Sequence, residues 1–266
     1  MRPVHRPRMR FVRNVVIVLA MLLSAIVSAA QQLTIAAAAD LQFAMQDIAG
    51  RFQKATGKTV NVTYGSSGNF YQQFQNGAPF DMFFSANLDY AKKLQEKGFT
   101  DPGSFYQYAR GKIVIWVRND SKLNINSGLQ VLLDPSVNKI AVANPVHAPY
   151  GQAAVAAMRK ENIYDKVKDK FVLGENISET ASFAISGAAD VGIVALSLAL
   201  SPNMKDKGRY GEVPPDDYPP IEQACVILKS SNNKNTARQF LSFIQTAAIA
   251  EVSRSYGFDV PSSSTK

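Results

Sequence analysis

Cysteine is almost missing from this chain of 266 residues: Cys225 stands alone, so no disulfide can form within the chain. Histidine is nearly as scarce, with His5 and His147. His5 falls in an N-terminal segment expected to be removed, so a serine–histidine–carboxylate triad would have to use His147. One histidine and one cysteine also argue against a zinc site. No G-x-S-x-G nucleophile elbow is present, because "GSSGN" at 65–69 has the wrong spacing. There is one long apolar run, Val15 to Val27. At about 13 residues it is shorter than the roughly 20 that span a bilayer. Repeats and low-complexity segments are absent beyond the "PPDDYPP" loop.

That apolar run follows Arg2, Arg6, Arg8, Arg10 and Arg13, has no acid before it, and ends in the small residues "SAA" at 28–30. The pattern predicts a cleavable signal peptide over 1–30, a mature chain from Gln31 and export to the periplasm. No cysteine near the cleavage point offers a lipid anchor. Of the 29 basic residues five leave with the leader, so 24 face 21 acidic ones. The high isoelectric point therefore belongs mostly to the leader, and no nucleic-acid partner is expected. The remaining bases interleave with acids, as in "DYAKKLQEKG" and "DKVKDK", which reads as solvated helix faces. With no disulfide, the fold must rest on its core.

Strands and helices alternate along the mature chain. "LTIAAAA" (33–39) is an apolar run of strand length, and from Asp40 to Gly57 the apolar residues recur at helical spacing. Further strands are predicted at "TVNVTY", "DMFFSA", "KIVIWV", "KIAVAN", "KFVLGE", "DVGIVAL" and "EQACVILK", with helices between them and over 234–247. Short apolar strands alternating with helices imply an α/β fold with parallel sheets covered on both faces. The aromatic segment "GSFYQYARGKIVIW" (103–116) reads as core and hinge packing. Four strand ends run into a turn that opens a helix: "AAAAD" (36–40), "YGSSGN" (64–69), "NPVHAPYG" (144–151) and "GENIS" (174–178). Ligands of open α/β sheets sit beyond such carboxyl ends, where helix N-termini present unpaired N–H groups suited to an anion. One such turn means little, since a cap or tight turn explains it equally well.

"LTIAAAADLQFAMQDIAGRFQKATG", "SSGNFYQQFQNGAPFDMFFSAN", "AVANPVHAPYGQAA", "GAADVGIVAL" and "RSYGFDVP" together resemble the periplasmic molybdate-binding proteins of ABC transporters, within the type II solute-binding family. The resemblance implies a two-lobed fold, each lobe a mixed, mostly parallel sheet flanked by helices, with the ligand in the cleft between them. Lobe 1 would comprise 31–111 with 224–266, and lobe 2 would comprise 112–223. It also implies capture of molybdate or tungstate without catalysis, no cofactor, a membrane permease as partner, and a monomer. Carried over residue by residue, the oxyanion contacts are Ser67 through its hydroxyl, Tyr150 through its N–H or hydroxyl, and Ile177 through its N–H. No protein atom would coordinate the metal itself.

This chain departs from the family at Ala195, where some members carry a tyrosine, which is consistent with Tyr150 supplying that hydroxyl. It departs again at Ala39-Asp40, where a hydroxyl or amide side chain is usual. An ionised carboxylate facing a desolvated dianion would cost several kcal/mol. The favoured expectation is that Asp40 caps the following helix and leaves the amides of Asp40 and Leu41 to the anion. In the alternative, Asp40 faces the site and accepts a proton from an oxyanion that carries one, as monohydrogen phosphate does. Phosphate or sulfate is therefore the second ligand reading. A lyase or dehydratase using Asp40 or Glu175 is a weaker third, for want of a second catalytic group. His147 reads as a rim residue and Cys225 as core.

Overall fold

The computed structural model describes residues 32–261; the expected signal peptide lies outside them. Along the chain, β1 (Leu33–Ala38) passes through a 3-10 turn at Ala39–Leu41 into α1 (Gln42–Thr56). β2 (Val60–Gly65) leads into α2 (Ser67–Gln75) and β3 (Met82–Ser85) into α3 (Leu88–Glu96). β4 (Tyr106–Gly111) and β5 (Ile113–Arg118) follow, with Lys112 between them. Next come β6 (Ile140–Ala143), α4 (Pro149–Lys160), α5 (Tyr164–Val167), β7 (Phe171–Gly174) and α6 (Ile177–Ser186). The chain finishes with β8 (Val191–Ala195), α7 (Leu196–Ala199), β9 (Gly208–Glu212), β10 (Ile221–Ile227), α8 (Lys234–Ile244) and α9 (Ala247–Ser255).

The strands form two five-stranded sheets of the same pattern, β2-β1-β3-β10-β4 and β7-β6-β8-β5-β9. In the first, β1, β2 and β3 are parallel and β10 runs against both neighbours. In the second, β6, β7 and β8 are parallel and β5 runs against both neighbours. Each sheet is thus mixed and mostly parallel, as the resemblance implies. The chain crosses from one sheet to the other at Lys112 and returns through 213–220. β10 already starts at Ile221, ahead of the 223/224 boundary expected from the sequence.

Helices cover both faces of the first sheet, which explains why its strands read as unbroken apolar runs. Successive side chains of β3 point to opposite faces: Phe83 packs on Phe70 and Phe74, and Phe84 on Phe240. Trp116 is buried in β5. β9 lies against its ring because residue 208 is glycine, where a Cβ would come within 2.2 Å of Trp116 Cζ2. β4 and β9 were not among the predicted strands. Both are edge strands, and their sequences, "YQYARG" and "GRYGE", lack an apolar run.

Candidate ligand-binding site

The carboxyl ends of β1, β2, β6 and β7 meet between the two sheets, and the four turns singled out in the sequence wall one small cavity. Ala39, Asp40, Ser67, Tyr150 and Ile177 all line it. The first two walls come from the first sheet, and Tyr150 and Ile177 come from the second. No lysine, arginine or histidine is in the lining.

Donors converge on this space for a simple reason: the first N–H groups of a helix have no acceptor inside it. The N–H groups of Ser67, Tyr150 and Ile177, at the starts of α2, α4 and α6, have no acceptor among the described residues. In α6 the Asn176 side chain takes the next two donors, Ser178 N–H at 2.9 Å and Glu179 N–H at 3.1 Å, and so leaves that of Ile177. The Ser67 hydroxyl accepts from Ala86 N–H at 2.9 Å. That bond fixes the oxygen and leaves the hydroxyl proton without an acceptor among the described residues.

Asp40 does not cap a helix, which corrects the favoured sequence expectation. Neither the 3-10 turn nor α1 receives a side-chain cap bond. The carboxylate instead turns across the cleft, where its Oδ2 accepts from the Tyr150 hydroxyl at 2.8 Å and from Gln223 Nε2 at 2.7 Å. Gln223 is held in that orientation by the Tyr108 hydroxyl, which donates to its Oε1 at 2.8 Å. Asp40 Oδ1 is buried and has no partner among the described residues. Burial pushes the carboxyl pKa up to about 6, against the bonds from Gln223 and Tyr150, which lower it.

Tyr150 needs a second correction. Its hydroxyl, expected to donate to the anion, donates to Asp40, so its free donor at the cavity is the backbone N–H. Burial and the neighbouring Asp40 hold its phenol well above the usual tyrosine range. Gln223, Tyr108 and Ser197, whose hydroxyl donates to the Asp40 carbonyl at 2.8 Å, were all missed in the sequence. A glutamine at a fully buried position inside the apolar "EQACVILK" was the one available signal.

At the rim, Gly68 N–H and the Ser66 hydroxyl both donate to His147 O, at 3.0 and 2.5 Å. Asn69 Nδ2 donates to Glu175 Oε1 at 2.6 Å, and His147 Nε2 stands 3.6 Å from the same oxygen. A Cβ at residue 68 would lie 2.6 Å from His147 O, so this glycine permits the approach of the two halves. Ser66, His147 and Glu175 form a serine–histidine–carboxylate grouping, with Ser66 Oγ 3.0 Å from His147 Nδ1. It is not set up as a nucleophile, because the serine proton goes to the His147 carbonyl oxygen and not to the ring.

Two mixed sheets whose strand ends enclose a small, donor-rich cavity without cations define a solute-binding protein. The chain belongs to the family of bacterial extracellular solute-binding proteins, whose match spans residues 33–259. It is 36% identical to the molybdate-binding protein ModA of Rhodobacter capsulatus, covering 88% of this chain and 90% of that one. With the ModA of Azotobacter vinelandii it shares 35% identity over 86% of this chain and 90% of that one. The solved structure of the Azotobacter vinelandii periplasmic molybdate-binding protein superposes with a TM-score of 0.82, covering 86% of this chain and all of that one.

Proposed function

We propose that the protein captures molybdate, and tungstate of nearly the same size, in the periplasm and delivers it to the permease of an ABC transporter, acting as a monomer and without catalysis or cofactor. The observation that carries this reading is the set of unpaired donors, Ser67 O–H with the N–H groups of Ser67, Tyr150 and Ile177, facing one cavity from both halves. The likeness to molybdate-binding relatives over the whole described chain supports it. Hydrogen bonds to an ionised partner contribute about 1.5–3 kcal/mol each. Several of them hold a dianion without any cation, once the halves close and exclude water. Selection over sulfate follows from size, because fixed donors leave a smaller anion's bonds stretched.

One observation favours a second reading. The unpartnered Asp40 Oδ1 suits an oxyanion that brings its own proton, such as monohydrogen phosphate. An ionised Asp40 about 4 Å from a unit negative charge costs about 4 kcal/mol at an effective dielectric of 20. Calorimetric titration of the mature protein with molybdate, tungstate, sulfate and phosphate separates the readings. Micromolar or tighter binding of the first two, with sulfate and phosphate weaker by at least a hundredfold, is expected. No response to molybdate or tungstate would end the first reading.

A further inference from the structure

We propose that each anion enters this cavity together with one proton, which Asp40 holds on Oδ1 as a carboxylic acid and donates to an anion oxygen. The inference rests on the oxyanion reading above and adds what that reading leaves open: how a donor site tolerates a carboxyl group in its wall.

The geometry specifies where the proton goes. Oδ2 already accepts two hydrogen bonds, from Tyr150 and Gln223. Neither donor can be turned to the anion instead, because the tyrosine has one proton and the amide is held by Tyr108. Oδ1 is the remaining position, and it is buried with no partner.

The groups packed around the carboxyl are all uncharged as they stand. They are Tyr150 from α4, Tyr108 from β4, Gln223 from β10 and Ser197 from α7, with the buried Cys225 behind Tyr108. No cation among the described residues bonds to Asp40, so nothing nearby neutralises it except a proton. A proton on Oδ1 turns an unpartnered acceptor at the wall into a donor of the same kind as the others. The balance is simple: the carboxylate and one proton from solvent become the acid, and a dianion's arrival adds a net charge of minus one instead of minus two. The raised carboxyl pKa lowers the cost of that uptake near neutral pH.

Calorimetry with molybdate in buffers of different ionisation enthalpy, between pH 5.5 and 8, tests this on the mature wild type and on Asp40→Asn. For the wild type we expect uptake approaching one proton per anion at pH 7.5, with affinity falling about tenfold per pH unit above about 6. Asp40→Asn should take up none through this position and bind with nearly level affinity, tighter than wild type at pH 7.5. Its amide keeps an oxygen towards Tyr150 and Gln223 and turns N–H groups to the anion. Proton uptake at any position other than 40 is common to both proteins and is removed by comparing them. Tight molybdate binding by the wild type with no uptake and a level profile overturns the proposal and leaves the oxyanion site standing. Absence of molybdate heat from both proteins at every pH overturns the oxyanion reading and this inference with it. Binding of phosphate alone, without uptake, overturns it in favour of a proton carried by the ligand. The wild-type uptake decides the matter even if the variant fails to fold.

Discussion

A buried carboxyl group without a cation is expensive to ionise, and Asp40 bears that cost in the unliganded protein. Its folded pKa, about 6, lies above the ordinary 3.8. The folded state therefore binds more protons than the unfolded state between those values, and stability falls as pH rises through that window. The loss is about 3 kcal/mol when complete. Denaturant unfolding from pH 4 to 8 should show it in the wild type, while Asp40→Asn shows no fall from this source. Ser67 has two duties that one substitution removes together. Ser67→Ala should weaken molybdate binding about 10- to 100-fold and also destabilise the free protein by about 1–3 kcal/mol, since Ala86 N–H loses its acceptor in the interior. Titration and urea unfolding of the same variant measure both. Ser67 was singled out by the resemblance, since its turn alone reads equally well as a helix cap. The orientation of Asp40 was not, because cap preference is a local property, and what turns the carboxylate away is Tyr150 and Gln223, far along the chain.

At the scale of elements, the site is made by helix starts, and their position follows from strands that end together. Gly68 shows how closely two such starts must pass. Alanine there favours the helix by about 0.5–1 kcal/mol, yet its Cβ would meet His147 O at 2.6 Å. Gly68→Ala should therefore weaken molybdate at least tenfold, whereas a change in helix propensity alone would leave the affinity as it is. Scattering in the presence of the anion should then report a more open shape than wild type. The strands that formed the centre of each sheet were readable as apolar runs. β4 and β9 were not, since "YQYARG" and "GRYGE" hold no apolar run, unlike the edge strand β7. The helix expected over 234–247 is α8, which stops at Ile244, and α9, over Ala247–Ser255, was not predicted.

Over the whole molecule, the two crossings between the sheets lie against the same cluster that holds Asp40. A Cβ at Gly111, where β4 gives way to β5, would fall 2.0 Å from the Tyr150 hydroxyl and 2.8 Å from Gln223 Nε2. Gln223 itself sits on β10, just after the return crossing. The groups that bond Oδ2, Tyr150 and Gln223, thus sit directly beside the crossings. The alternation of strands and helices foretold an α/β fold, and the resemblance to the solute-binding family implied the two sheets. Where the chain changes sheets was foretold only in part, because "VPPDDYPPIE" carries no periodicity to mark the start of β10.

Cys225 lies in the middle of β10, fully enclosed, with burial pushing its thiol far above the usual range. The chain's only native sulfhydryl is thus walled off from reagents. Cysteines introduced at an exposed position on each half, such as Val146 in the 144–148 turn and Gln72 on α2, can take a donor and an acceptor dye against a silent background. Energy transfer between the dyes then tests whether single molecules open and shut, with the native cysteine left in place.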